Sequence, residues 1–101
     1  MLIFDLATAE EIGAELGRRL RAQRLAQNLT QQALAARAGV SRGTVRNLEG
    51  KGQASVESLL RIVGALGLGG SLSELFVLRP TSIREMEAAS TSRMRASRAG
   101  Q

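Results

Sequence analysis

The stretch that most constrains the fold is residues 29–50, Leu-Thr-Gln-Gln-Ala-Leu-Ala-Ala-Arg-Ala-Gly-Val-Ser-Arg-Gly-Thr-Val-Arg-Asn-Leu-Glu-Gly. It reads as two short helices joined by a tight turn. Thr30 has the side chain to cap the first, accepting an orphan backbone N–H. Leu34, Ala35 and Ala38 recur at helical spacing, and Gly39 supplies the left-handed residue that stops the helix. Val40 plugs the turn, and Ser41 caps a second helix that buries Val45 and Leu48. Arg42, Gly43, Arg46 and Asn47 are left on its outer face. A cationic, hydrogen-bonding helix face beside a compact turn fits a DNA major groove.

The inventory narrows the alternatives. At 101 residues the chain is long enough for one domain with a modest core. With two Phe and no Tyr or Trp, that core has to be aliphatic. No apolar run approaches the ~20 residues of a membrane span, and residues 1–6, though apolar, lack the basic flank and length of a signal peptide. The expected location is cytoplasmic. Histidine and cysteine are both absent, which removes the usual general base, thiol nucleophile and zinc ligands. Glu10 and Glu11 are adjacent and point to different sides of a helix, and the glycines form no phosphate-binding fingerprint. The chain reads as a non-enzyme with no cofactor and no metal.

Periodicity and capping signals predict an all-α fold of five helices. Thr8 and Glu11 form a capping-box pair, so the first helix starts near Ala9 and runs to about Gln27 with Ile12, Leu16, Leu20 and Leu25 inward. The second covers about 31–38 and the third about 42–49, followed by a Gly50-Lys51-Gly52 loop. The fourth starts after Ser55 and runs to about Leu66 on Val56, Leu59, Leu60 and Val63. A short fifth begins at Ser71 and buries Leu72, Leu75 and Phe76. The domain plan is an apolar N-terminal segment, residues 1–7; a helix-turn-helix domain, residues 8–78; and a short helix with a basic tail, residues 79–101. The N-terminal Leu2-Ile3-Phe4 is expected either to pair as a strand with another chain or to pack over the fifth helix.

Charge is unevenly distributed. Residues 1–17 carry four acids and no base, whereas residues 18–51 carry eight bases against Glu49 alone. Positive charge that coincides with the helix-turn-helix is the footprint of a phosphate-binding surface. Within it, Arg42 is the first candidate for guanine, because its planar fork matches O6 and N7, with a phosphate clamp as the alternative. Arg46 follows one turn on, and Asn47 is suited to adenine or to a phosphate. Ser41, Thr44 and Lys51 fit phosphate contacts. Gly43 allows close backbone approach at the loss of one side-chain contact. Gln31 opens the second helix, where its amide and the helix N-terminus both face a phosphate.

Arg24, Leu29-Thr30-Gln31, Leu34-Ala35, Gly39-Val40-Ser41, Val45, Leu48-Glu49, Leu59-Leu60 and Ala65-Leu66-Gly67, in this order and spacing, resemble the helix-turn-helix of the Xre family, the Cro- and cI-repressor type. The resemblance runs from about Leu16 to Leu75. It implies a transcriptional repressor of double-stranded DNA, with Gln31 bracing the recognition helix. It also implies a salt bridge from Arg24 to Glu49, with Arg24 near the DNA backbone. The tail, Pro80-Thr81-Ser82-Ile83-Arg84-Glu85-Met86 and then Arg93-Met94-Arg95-Ala96-Ser97, is similar to HipB-type antitoxins. That likeness implies autoregulation and a HipA-like kinase toxin as partner. The alternatives are a regulator without a toxin and a protein-binding antitoxin with incidental DNA contact. One such unit reads too few base pairs for useful discrimination, so a homodimer on an inverted repeat is expected, with Leu72, Leu75 and Phe76 at the interface.

Overall fold

The computed structural model of the chain describes residues 2–79. A 3-10 turn at Phe4–Leu6 precedes α1 (Ala9–Ala26), α2 (Gln31–Ala38), α3 (Arg42–Lys51) and α4 (Val56–Ala65), and a second 3-10 turn follows at Gly69–Leu72. No strand occurs among the described residues, and none of their helices is long and apolar enough to cross a membrane.

All four α-helices start in the same way. Thr8, Thr30, Ser41 and Ser55 sit in extended backbone, and each hydroxyl accepts the N–H three residues on, from Glu11, Ala33, Thr44 and Ser58. Each such cap contributes about 1 kcal/mol. Thr8 and Glu11 complete a reciprocal capping box, with Glu11 accepting the Thr8 N–H at 3.1 Å. Three of the stops are also alike. Asn28, Gly39 and Gly67 adopt positive φ, and the next residue's N–H turns back to a carbonyl five residues earlier: Leu29 to Arg24, Val40 to Ala35, Leu68 to Val63. This reversal presents an apolar side chain just past the helix end. Leu29, Val40 and Leu68 are each half-buried against the core.

That core is aliphatic: Leu20, Leu34, Ala35, Ala38, Val45, Leu48, Ile62, Val63 and Leu66. Leu34, Val45 and Ile62 are fully buried, one each from α2, α3 and α4, and each such side chain contributes roughly 1.5–3 kcal/mol. The ends of α1 and α4 are tied by Gln27, whose Nε2 donates to the Leu66 carbonyl at 2.8 Å.

At one place α1 and α3 meet backbone to backbone. Gly13 and Gly17 stand on one face of α1, one turn apart. A Cβ on Gly17 would come within 2.1 Å of the Leu48 carbonyl oxygen, and one on Gly13 within 2.7 Å of that of Gly52. Gly52, at φ 69°, ends α3 against the Gly13 peptide. The α1–α3 contact therefore has no room for a side chain at these positions.

Several expectations are corrected. The region from Ser71 is not a fifth helix: two glycines open it, and a 3-10 turn at Gly69–Leu72 is followed by irregular turns. Leu72 is half-buried against the core, whereas Leu75 is half exposed and Phe76 is 98% exposed, so the expected burial fails for the last two. The N-terminal run forms a 3-10 turn and no strand. Leu25, Val56 and Leu60 face solvent; Ile62, not Leu60, fills the core from α4. The helix α3 continues through Gly50 and Lys51, so the loop is shorter than expected. The expected helix and basic tail beyond Pro80 lie outside the described residues.

These contacts set opposite outcomes for two glycines. Gly17→Ala should cost at least about 2 kcal/mol through backbone overpacking. Gly64→Ala, in a helix with nothing within 4 Å of the added Cβ, should gain about 0.5–1 kcal/mol. Thermal melts read both changes; a Gly17→Ala protein as stable as wild type would remove the tight α1–α3 contact.

Candidate nucleic-acid interface

Helix α3 divides cleanly into two faces. Val45, Leu48 and Glu49 are buried, while Arg42, Arg46, Asn47, Gly50 and Lys51 are exposed. Its spacing produces this, since Val45 and Leu48 lie three apart and Arg42 and Arg46 four apart. The N-terminal end of the exposed face is held by the Ser41 cap. Ser41 Oγ accepts the Thr44 N–H at 3.0 Å and lies 2.8 Å from Thr44 Oγ1. Of the two hydroxyl protons, one is spent in that bond, and the other remains to meet an acceptor such as a phosphate oxygen. Gly43 is half-buried, and a Cβ there would meet nothing closer than 3.8 Å, from Arg46 Nη2 and Ser41 Oγ. Intramolecular packing does not require glycine at this position.

Beneath α3 lies a buried ion pair. Arg24 Nε donates to Glu49 Oε2 at 2.7 Å and Nη2 to Oε1 at 2.9 Å, a bidentate fork, while Nη1 donates to the Leu29 carbonyl at 2.7 Å. The two side chains are only 8% and 3% exposed. The hydrogen bonds that Arg24 donates to Glu49 hold its pKa above the ordinary value, against the opposing effect of burial. Gln31 Nε2 donates to Glu49 Oε1 at 3.3 Å, so the first residue of α2 joins the same cluster. No buried polar side-chain atom among the described residues is left without a partner.

Three of the five Arg24 N–H groups are spent on Glu49 and the Leu29 carbonyl, so the side chain is held mainly by the fold itself. Gln31 is half-buried with its amide nitrogen on Glu49, which orients the side chain at the start of α2 and leaves its carbonyl oxygen uncommitted.

The basic footprint is also smaller than a count of charges indicates. Arg19 Nε and Arg18 Nη2 both donate to Glu15, at 2.8 and 3.0 Å, and these bonds lower the Glu15 pKa. The Arg19 guanidinium also lies 5.1 Å from the centre of the Phe4 ring. Arg61 pairs with Glu57 at 2.9 Å. Among the described residues of the basic stretch, the cations outside any ion pair are Arg21, Arg37, Arg42, Arg46 and Lys51. Glu15 precedes Arg18 and Arg19 by three and four positions, so the neutralisation was readable from helical spacing.

A family model described as helix-turn-helix matches residues 20–75, more than half of the chain. The chain belongs to the helix-turn-helix family. The match is to its Xre type and indicates a DNA-binding transcription regulator. The matched region contains α2, the Gly39 turn, α3 and α4, with the Arg24–Glu49 pair inside it. No curated protein matches the chain.

Breaking the pair exposes its role in the helix-turn-helix. Glu49→Ala leaves the Arg24 charge buried and should cost about 3–5 kcal/mol, a large part of the ~5–15 kcal/mol available to such a domain. Urea denaturation measures it; a loss under about 1 kcal/mol, typical of an exposed pair, would contradict a buried anchor.

Proposed function

We propose that the chain is a sequence-specific DNA-binding transcriptional repressor that acts as a homodimer on an inverted-repeat operator. The observation that carries this reading is the outer face of α3. Arg42, Arg46, Asn47 and Lys51 stand exposed there, while the opposite face is anchored through Glu49 to Arg24. A cationic face with no ion-paired acid among the described residues, on a helix that its own cap and a buried ion pair hold rigid, is pre-organised for a polyanion.

Within the groove, Arg42 is the candidate reader of guanine, with Arg46 and Asn47 continuing the face one turn on. Ser41, Thr44, Lys51 and the N-terminus of α2 at Gln31 flank it as phosphate contacts. The absence of a side chain at Gly43, which packing does not demand, suits close approach of the α3 backbone to DNA. Two copies pair through the surface that carries Leu72, Leu75 and Phe76. A dimer doubles the base pairs read and sets two α3 helices one turn of DNA apart.

The biological setting in this reading is an operon whose product represses its own promoter and holds a HipA-like kinase toxin. It rests on the resemblance of the tail, from Pro80 to Ser97, to HipB-type antitoxins. The DNA-binding reading stands without it.

Titration against the chain's own upstream DNA and a scrambled duplex, at ~150 mM salt where non-specific affinity is weak, tests the proposal. The expected result is a preference of ~10³-fold or more with two chains per site. Arg42→Ala should reduce discrimination at one base position by ~1–3 kcal/mol. Equal, weak binding to both duplexes would contradict sequence-specific repression, and a uniform loss across sequences would make Arg42 a phosphate clamp.

A further inference from the structure

Between α1, α4 and the Gly69–Leu72 turn, the fold leaves an apolar groove of about 670 Å³. Leu16 of α1, Leu59 of α4 and Leu72 are among the residues that line it, and Arg19, Gln23 and Ser71 are its polar members. Arg19 is already engaged, with Glu15 on one side and the Phe4 ring below it. The groove therefore offers no uncommitted cation to an acidic ligand, and what it matches is an apolar side chain.

Such side chains begin at its lip. Leu75 and Phe76 border the groove, and Leu75, Phe76, Val77 and Leu78 are 51%, 98%, 50% and 62% exposed. Phe76 sits at φ 58°, a conformation rare for an aromatic residue, and its ring stands in solvent. The chain's own run forms the edge of the groove and cannot at the same time fill its floor.

Knob and socket thus lie side by side on one molecule, the arrangement from which a two-fold, self-complementary interface is made. We propose that the groove of each copy receives the apolar run 75–78 of a second copy, reciprocally, with Phe76 as the central anchor. Phe76 alone would bury on the order of 200 Å². Two runs and two groove linings together reach on the order of 1,000 Å², the extent at which specific interfaces begin. The inference rests on the homodimer reading above and supplies the contact that would make it.

Because the chain has no cysteine, single cysteines can be placed at will. The test combines sedimentation of the wild type and Phe76→Ser with oxidation of a mixture of Phe76→Cys and Gln23→Cys full-length chains. Both positions are exposed at the groove, so the substitutions leave the core intact. The expected result is a wild-type dimer, a Phe76→Ser dimer at least ~10-fold weaker, as for a central aromatic anchor, and a disulfide joining one chain of each kind. A wild type monomeric at about 10–100 μM would remove the dimer reading and this inference together. A dimer unaffected by Phe76→Ser, or one crosslinked only between two Phe76→Cys chains, would remove this inference alone.

Discussion

The domain is organised around one buried ion pair. Arg24 and Glu49 come from the end of α1 and the end of α3, and their fork is buried. A charge in that place is destabilising unless its partner is present, so α1 and α3 are fixed relative to each other by necessity as well as by packing. Two further groups converge on the pair. The Leu29 carbonyl accepts from Arg24 and locates the loop into α2, and the Gln31 amide donates to Glu49 and locates the start of α2. One cluster therefore sets the positions of three elements, and the exposed face of α3 inherits its orientation from it.

Glycine completes what the ion pair begins. Hydrogen bonding between two side chains tolerates some sliding of their helices, whereas backbone contact tolerates almost none. Gly13 and Gly17 let α1 meet the last turn of α3 directly, and Gly52 lets α3 end there. Charge is allocated by the same economy of position. Glu15 neutralises Arg18 and Arg19, Glu49 takes Arg24, and the cations left outward include those of α3. The surface that remains electropositive is thereby focused on the helix whose orientation is most tightly held.

Much of this was legible in the sequence because it depends on local chemistry. Ser and Thr ahead of each helix, and Asn28 and Gly39 at two of the stops, act within a few residues of themselves, so α2 was bounded correctly from residues 29–50 alone. Gly67 reads as a break in the sequence, and its role in turning Leu68 back onto the core emerges only in three dimensions. Leu25, Val56 and Leu60 fit the helical period but not the burial, since period alone cannot say how wide the covered stripe is. Apolar spacing after Ser71 predicts a fifth helix, where two glycines and a short 3-10 turn stand instead. The paired glycines of α1 carry no local signal in the sequence, because their significance lies in the carbonyls of Leu48 and Gly52, far along the chain. For Arg24 the sequence offers both a structural and a DNA-contacting role, and its fork with Glu49 and bond to the Leu29 carbonyl belong to the first.

The central claim is that the outward face of α3, held by the Arg24–Glu49 cluster, is the surface that meets DNA. Amide chemical-shift mapping of the full chain on addition of its upstream duplex tests this most directly. The account predicts that the largest changes fall on Ser41, Arg42, Gly43, Arg46 and Asn47 and on the start of α2, with the face of α4 that carries Leu60 unmoved. Changes centred on α4 or on the 69–72 turn, with α3 silent, would contradict it.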